Sequence, residues 1–397
     1  MASSRVRSLS VLAIVSVSLL AASCASPSTG EDGGVESMEL TVAVPAAQGA
    51  ISIAATEAMA AYVEEATEGK VTFEFFYSDS LLPNQEAPQG VASGIADVGF
   101  IGTPTLFAGD LPASVWMGDA ASYGELTGVA GFVQDSLTYD EMMMNNDTIR
   151  GEVEAMGLTP IAAMSTGQWG YWCKQPVPDL AAAQGLSAVV PGEPYASELS
   201  ALGFEPGHIP AIEVYEAMER GVVDCHSNPI YIYDIFSMYD VAPNIYVPQL
   251  SPGTMGLIPV IRTDLWESFS PELKEIFADS SRAALAGYIE AYLDAWKTIT
   301  TKAADSGAAI LQTAPEVDEI LADVQEQRRD AMGGSAPASV ENPEQFLTEY
   351  REVAQRWQDA MEEAGVVPQS GMSPVDEAAY FSDVDWQQLL EQLPAPK

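Results

Sequence analysis

An α/β fold is predicted by three features of this chain. Strand-like and helix-like patterns alternate with short connections, the order that builds a mainly parallel sheet. From Ser270 onward, apolar positions keep helical spacing for about 35 residues, enough to span roughly 50 Å. Finally, 397 residues with 47% hydrophobic content can hold two or three domains of ordinary size with a real core.

In chain order, residues 1–24 read as an export leader rather than as part of the fold. Arg5 and Arg7 form a positive start, and Leu9 to Ala22 form an apolar core of about 14 residues, too short to span a bilayer. Leu20-Ala21-Ala22-Ser23-Cys24 resembles a bacterial lipoprotein box, which implies that Cys24 becomes a lipidated first residue, anchored on the outer face of the cytoplasmic membrane. The alternative is a soluble secreted protein with an incidental cysteine. Residues 25–37, rich in Ser, Pro, Thr, Gly and acids, read as a flexible tether.

Leu40, Val42 and Val44 alternate with Glu39, Thr41 and Ala43 as a first strand; Pro45 to Gly49 is a loop, Ile53 to Glu65 a helix, and Val71, Phe73 and Phe75 a second strand. From Gly102 to Asp147, Pro and Gly puncture the pattern, so short helices and loops are expected; Trp116, Met117 and Tyr123 there are either pocket walls or plain packing. Glu152 to Met156 is a helix, and Leu158 to Met164 a strand, expected to cross from one part of the fold to the next. Between Pro210 and Gly221 lie about three helical turns, followed by a short strand, Val222-Val223, that delivers Asp224 to Pro229 into a loop. Ser270-Pro271-Glu272 is a strong helix start, and Gly307 the stop; a break into two helices near Gly287 stays open. Glu316 to Arg329 and Glu344 to Glu363 are two further amphipathic helices.

Charge limits the partners. Asp and Glu total 57 against 16 Lys and Arg, a formal charge of −41. Such a field repels nucleic acid and anionic lipid. It suits a hydrated surface in high salt, where screening acts over a few ångström. The chain contains no G-x-S-x-G, H-E-x-x-H, Walker loop or G-x-G-x-x-G, and His208 and His226 have no evident nucleophile partner, so an enzyme is not expected.

The motif run Glu213-Val214-Tyr215, Ala217-Met218, Arg220-Gly221-Val222-Val223-Asp224 and Ser227-Asn228-Pro229 resembles the signature of the DctP-like solute-binding proteins of TRAP transporters. Cys225 and Ser227 depart from the usual Gly and Glu. Thr166-Gly167-Gln168-Trp169-Gly170-Tyr171-Trp172 is similar to the T-G-x-Q-x-G-G-W segment of the family's keto-acid branch. The resemblance covers about Leu40 to Ala304. It implies a two-lobed periplasmic-binding-protein-like fold of type II kind: residues 38–157 as lobe I, completed by about 254–270; 158–253 as lobe II; 271–306 as a long helix bracing both; and 307–397 as C-terminal helices. It also implies an exported monomer that closes on a small organic solute and hands it to TRAP membrane subunits. A ligand-sensing or scavenging lipoprotein using the same cleft is the alternative.

Under that resemblance the candidate solute contacts are Gln48, Thr103, Gln168, Trp169, Trp172, Val189, Ser227, Asn228, Tyr231 and Gln249. In most relatives an arginine of the segment matching Gly185 to Gly192 clamps the solute's carboxylate; its position here is Val189, which cannot pair with an anion. Of the basic residues, Arg150, Lys174 and Arg262 remain as substitutes. Val189 and the aromatic run Trp169, Tyr171, Trp172, Tyr231 and Tyr233 therefore suggest a solute less charged or more aromatic than a short-chain acid. The acids that hold a cation in the keto-acid branch are missing at Ser227 and in Pro248 to Gly253, so no metal and no cofactor is expected. Cys173 and Cys225 are a disulfide, two buried thiols or a metal cluster with His226; the oxidising compartment favours the disulfide.

Overall fold

The computed structural model describes residues 34–392 apart from 103, 124–125, 211–212, 252, 254 and 368–371. The leader, Cys24, most of the tether and Thr103 lie outside the described residues. No helix of the described residues is long and apolar enough to cross a membrane.

Twelve strands are described: β1 (Met38–Ala43), β2 (Val71–Phe76), β3 (Val98–Ile101), β4 (Leu158–Pro160), β5 (Met164–Ser165), β6 (Trp169–Cys173), β7 (Ser187–Val189), β8 (Glu205–Gly207), β9 (Cys225–Pro229), β10 (Asn244–Tyr246), β11 (Met255–Arg262) and β12 (Ala309–Leu311). They form two sheets, each the centre of one lobe. The first has the order β2-β1-β3-β11-β4 with β5 also on β11; the second has the order β12-β10-β6-β9-β7-β8.

The sheets are mixed rather than mainly parallel. β1 runs parallel to β2 and β3, but β11 is antiparallel to β3, β4 and β5. In the second sheet β6 is antiparallel to β9 and β10. The reversed strands are the ones that follow a passage between sheets: β6 after residues 166–168, β11 after residues 247–254. A strand entering from the other lobe has no crossover helix to bring it round into parallel register.

Two expectations about the passage change. Leu158 to Met164 does not cross; β4 and β5 stay on β11 in the first sheet, and the chain changes lobe at residues 166–168. Residues 225–229, expected as a loop, are the strand β9 inside the second sheet, whereas Val222 is 65% exposed in a turn. Asp224 fixes this arrangement. Its carboxylate accepts from Ser187 N–H at 3.0 Å and Ser187 Oγ at 2.7 Å, which tethers the start of β9 to the start of β7. The helix before it spans Val214–Glu219, shorter than the three turns expected.

The long helix is unbroken from Pro271 to Ser306. Ser270 Oγ accepts from Leu273 N–H at 3.2 Å, and Gly307, at φ +83°, ends it. Gly287 does not break it, because the missing side chain serves packing: a Cβ there would lie 2.5 Å from the Ala58 Cβ of helix Ile51–Ala66. The same long helix packs on Ile230–Ile235 of the second lobe, so it spans both bodies. Phe277, Tyr288, Ile289, Tyr292 and Trp296 are buried along it.

Candidate functional site

The two passages between the lobes meet over the long helix. Gln168 N–H donates to Tyr292 Oη at 3.1 Å. Gly167 has φ +85°, and a Cβ there would fall 2.6 Å from the Tyr292 ring, so this crossing lies flat on the helix. The second passage presses on the first: a Cβ at Gly253 would come 2.5 Å from Gly167 O, while Ser165 Oγ and Tyr139 Oη both donate to Gly253 O, at 3.0 and 3.3 Å.

A cavity opens where these passages face helix Gly128–Asn145 and helix Pro315–Ala331. Its walls are Thr127, Gly128, Gly131 and Phe132 from the start of the first helix; Gly167 and Gln168; Pro248, Gln249, Leu250 and Gly253; and Gln325 and Arg329 from the second helix, with Leu126 beside them. Phe132 is held from below by Tyr292, ring centroids 4.4 Å apart. No carboxylate is among these described lining residues, but Asp318 and Glu377 line the adjoining hollow, which shares Thr127, Gly128, Gln168, Pro248 and Gln249 with the cavity. The polar lining is three amides, a threonine and one guanidinium. Gln168 Oε1 is buried with no hydrogen-bond partner in the protein, an acceptor in want of a donor.

Two acids beside the cavity are tied to its walls. Glu198, fully buried, accepts from Ser251 N–H at 3.0 Å and from Gln325 Nε2 at 3.0 Å; burial holds its carboxyl above the usual range. Glu377 Oε1 accepts from Ala130 N–H at 3.1 Å and so caps helix Gly128–Asn145, whose own Thr127 makes no side-chain cap. Burial raises Glu377 as well.

Of the sequence candidates, Gln168 and Gln249 line the cavity. Trp169 stands behind it, stacked on Tyr195 at 3.5 Å between centroids and donating to Thr166 Oγ1 at 3.2 Å. The others are elsewhere. β6 is an inner strand covered on both faces, so alternation sends Trp169 and Tyr171 into one apolar cluster and Trp172 into the other, edge-on to His226 and Tyr233. Trp172 is fully buried, Val189 is 4% exposed inside β7, and Tyr231, 8% exposed, has its hydroxyl pushed up to about 12 by burial. Ser227 Oγ is spent on Gly170 O at 2.9 Å, and Asn228 Nδ2 lies 3.2 Å from His226 Nε2. Gln48 is exposed beside Phe73, Phe75 and Tyr77 at the outer edge of the first sheet, away from the cavity.

The three basic candidates are also engaged elsewhere. Arg150 pairs with Asp147 and Glu154, Lys174 Nζ donates to Met218 O, and Arg262 pairs with Asp97 and Asp264. Among the described residues that line the cavity, the cation is Arg329, itself engaged in the protein, which sequence reasoning missed. Its helix was legible as amphipathic, but nothing in the pattern said which surface it covers. Trp116 and Tyr123 serve that helix: Trp116 Nε1 donates to Met332 O at 3.3 Å and Tyr123 Oη to Arg329 O at 2.7 Å.

Cys173 and Cys225 face each other in the β6–β9 register and form a disulfide, with Cα atoms 4.2 Å apart.

Similar proteins share this architecture. The ectoine-binding periplasmic protein TeaA of Halomonas elongata is 27% identical over 137 residues, which are 31% of this chain and 40% of that protein. The match thus spans well under half the length of that relative. In fold, a TRAP periplasmic solute binding protein from Desulfovibrio salexigens superposes with a TM-score of 0.67 at 17% identity, covering 84% of this chain and 98% of that one. One from Desulfovibrio desulfuricans with bound sn-glycerol-3-phosphate gives 0.63 at 16% identity, over 81% and 97%. The TeaA structure gives 0.62 at 17% identity, over 80% and 99%. Residues 132–332, half of the chain, match the DctP family, and the protein belongs to the bacterial extracellular solute-binding proteins, family 7.

Proposed function

We propose that this protein captures a small organic solute outside the cytoplasm and delivers it to the membrane subunits of a TRAP transporter. The observation that supports this most is the position of the cavity: it lies where the first passage between the lobes crosses the bracing helix and the second presses on the first, so a guest there touches both passages together. Only a ligand that contacts the lobes differently in the two states can drive closure. In this reading the role is binding, not catalysis, and the leader with its lipoprotein box supports an anchor at the membrane surface through a lipidated Cys24.

The solute we infer carries both a negative group and a hydrogen-bond donor. Arg329 offers a guanidinium to a carboxylate, an interaction of about 1.5–3 kcal/mol when desolvated. Gln168 Oε1 offers an unused acceptor to an N–H. This replaces the neutral or aromatic solute suggested by Val189 and the aromatic run, since Val189 and most of that run are core residues and do not line the cavity. A compact zwitterion of the kind represented by ectoine, the solute in the name of TeaA, meets both requirements. A thermal-shift screen across zwitterionic, anionic, neutral and aromatic metabolites tests it. Zwitterions and small carboxylates should raise the melting temperature; stabilisation by neutral aromatic compounds alone would overturn the assignment.

A further inference from the structure

Helix Pro315–Ala331 does more than line the cavity; it is a third connection between the lobes. Near its start, Ala314 N–H donates to Pro178 O at 2.9 Å, and Val317 and Leu321 are buried in the second lobe's apolar cluster with Tyr195 and Leu199. Its far end rests on the first lobe through Trp116 and Tyr123. Between the ends it is laced to the second passage. Gln249 N–H donates to Asp318 Oδ1 at 2.9 Å, Gln325 Nε2 to Gln249 O at 2.9 Å and to Glu198 Oε1 at 3.0 Å, and Arg328 Nη1 to Ser251 Oγ at 3.3 Å. Ser251 Oγ in turn donates to Glu198. From this lattice Arg328 Nη2 reaches Asp119 Oδ1 at 3.0 Å, at the end of the first lobe's helix Pro112–Asp119.

We propose that Arg328 is a positioning residue for solute capture: its ion pair with Asp119 latches the strap helix to the first lobe and sets how far the unliganded cleft opens. A 17-residue helix is a stiff rod of roughly 25 Å, so relative rotation of the lobes has to be absorbed at one of its ends. The second-lobe end is held by apolar burial and by buried Glu198. The first-lobe end is held by the Trp116 and Tyr123 hydrogen bonds and by the Arg328–Asp119 pair, whose side chains are 20% and 36% exposed, so the ion pair is the contact there that salt can loosen. A pair exposed to that degree is screened by salt. In high salt the latch slackens and the cleft opens more readily. The proposal takes the two-lobe capture reading as its setting, but the latch is a property of the protein without solute and is tested without one.

The experiment is small-angle X-ray scattering and amide exchange on the solute-free protein, comparing wild type with Arg328→Gln, Asp119→Asn, the double variant and Arg328→Lys at low and at molar salt. The expected result is a larger radius of gyration and about five-fold faster exchange at the Gln249 and Ser251 amides in each single neutral variant at low salt. The double variant should be no more open than either single one, Arg328→Lys should stay close to wild type, and molar salt should erase the differences. An unchanged radius of gyration in folded Arg328→Gln, or effects of the two single substitutions that simply add in the double variant, would overturn the latch. A lower melting temperature with unchanged dimensions would assign Arg328 a purely structural role. Solute screening reports separately on capture itself, so failure of one does not imply failure of the other.

Discussion

Cys173 on β6 and Cys225 on β9 are cross-strand partners in the inner part of the second sheet, joined across a 52-residue separation. Opening that link by Cys173→Ala with Cys225→Ala should lower stability by about 2–4 kcal/mol, because the unfolded chain regains the freedom of the closed loop. Urea unfolding with and without a reductant checks it. An identical midpoint in both conditions would mean that the β6–β9 ladder alone fixes the pairing.

A second prediction concerns pH. Asp140, inside helix Gly128–Asn145, accepts from Ala163 N–H at 3.0 Å, and burial pushes its carboxyl up to about 7. In the unfolded chain it titrates near 4. Between those values the folded state keeps a proton that the unfolded state has released, so this group's contribution to stability falls as pH rises from about 4 to about 7 and is level beyond. Asp140→Asn should flatten the pH dependence of the unfolding free energy in that window, by up to about 4 kcal/mol. Comparing variant and wild type removes the contributions of the other acids, and parallel curves would show that Asp140 does not titrate there.

Val189→Arg separates two readings of the second lobe. Were Val189 a wall of the solute site, an arginine there would add affinity for carboxylates. The side chain is 4% exposed inside β7, paired in register with Gly207 and His226, so the substitution should bury an unpaired charge and cost several kcal/mol. Circular dichroism melting decides: a folded variant with tighter anion binding would contradict the burial.

Gly167→Ala tests the crossing. With φ +85° and Tyr292 2.6 Å from the would-be Cβ, alanine is disfavoured by backbone and space alike and should cost about 1–3 kcal/mol. It should also weaken solute binding, because Gln168 is the next residue. Unchanged melting and binding would show that the crossing has room to move.

The sequence carried the regular parts of this fold well. Ser270-Pro271 and Gly307 bound the long helix where capping rules place its ends, and the alternation at Leu40, Val42 and Val44 marks the first strand. It misled where composition typical of loops lies inside a sheet. Residues 225–229 contain Ser, Asn and Pro, and 166–172 are glycine-rich, yet backbone pairing with neighbours distant in sequence turns their greater part into β9 and β6. The same cause keeps several candidate residues away from the cavity. Trp172 and Val189 carry the family pattern but face helices that cover the sheet, while Arg329 and Gln325 arrive from a helix whose amphipathic pattern records that one face is buried and not what buries it. Gln168 was legible because its motif fixes its place relative to the crossing.

The account stands most directly on calorimetric titration of wild type and Arg329→Gln with a zwitterionic solute such as ectoine, with a neutral amide of similar size as control. Loss of one desolvated charge-assisted contact predicts about 10- to 100-fold weaker binding of the zwitterion in the variant, with the neutral amide little changed. Equal affinity of both proteins for the zwitterion would show that the cavity beside Gln168 and Arg329 is not where the solute is held.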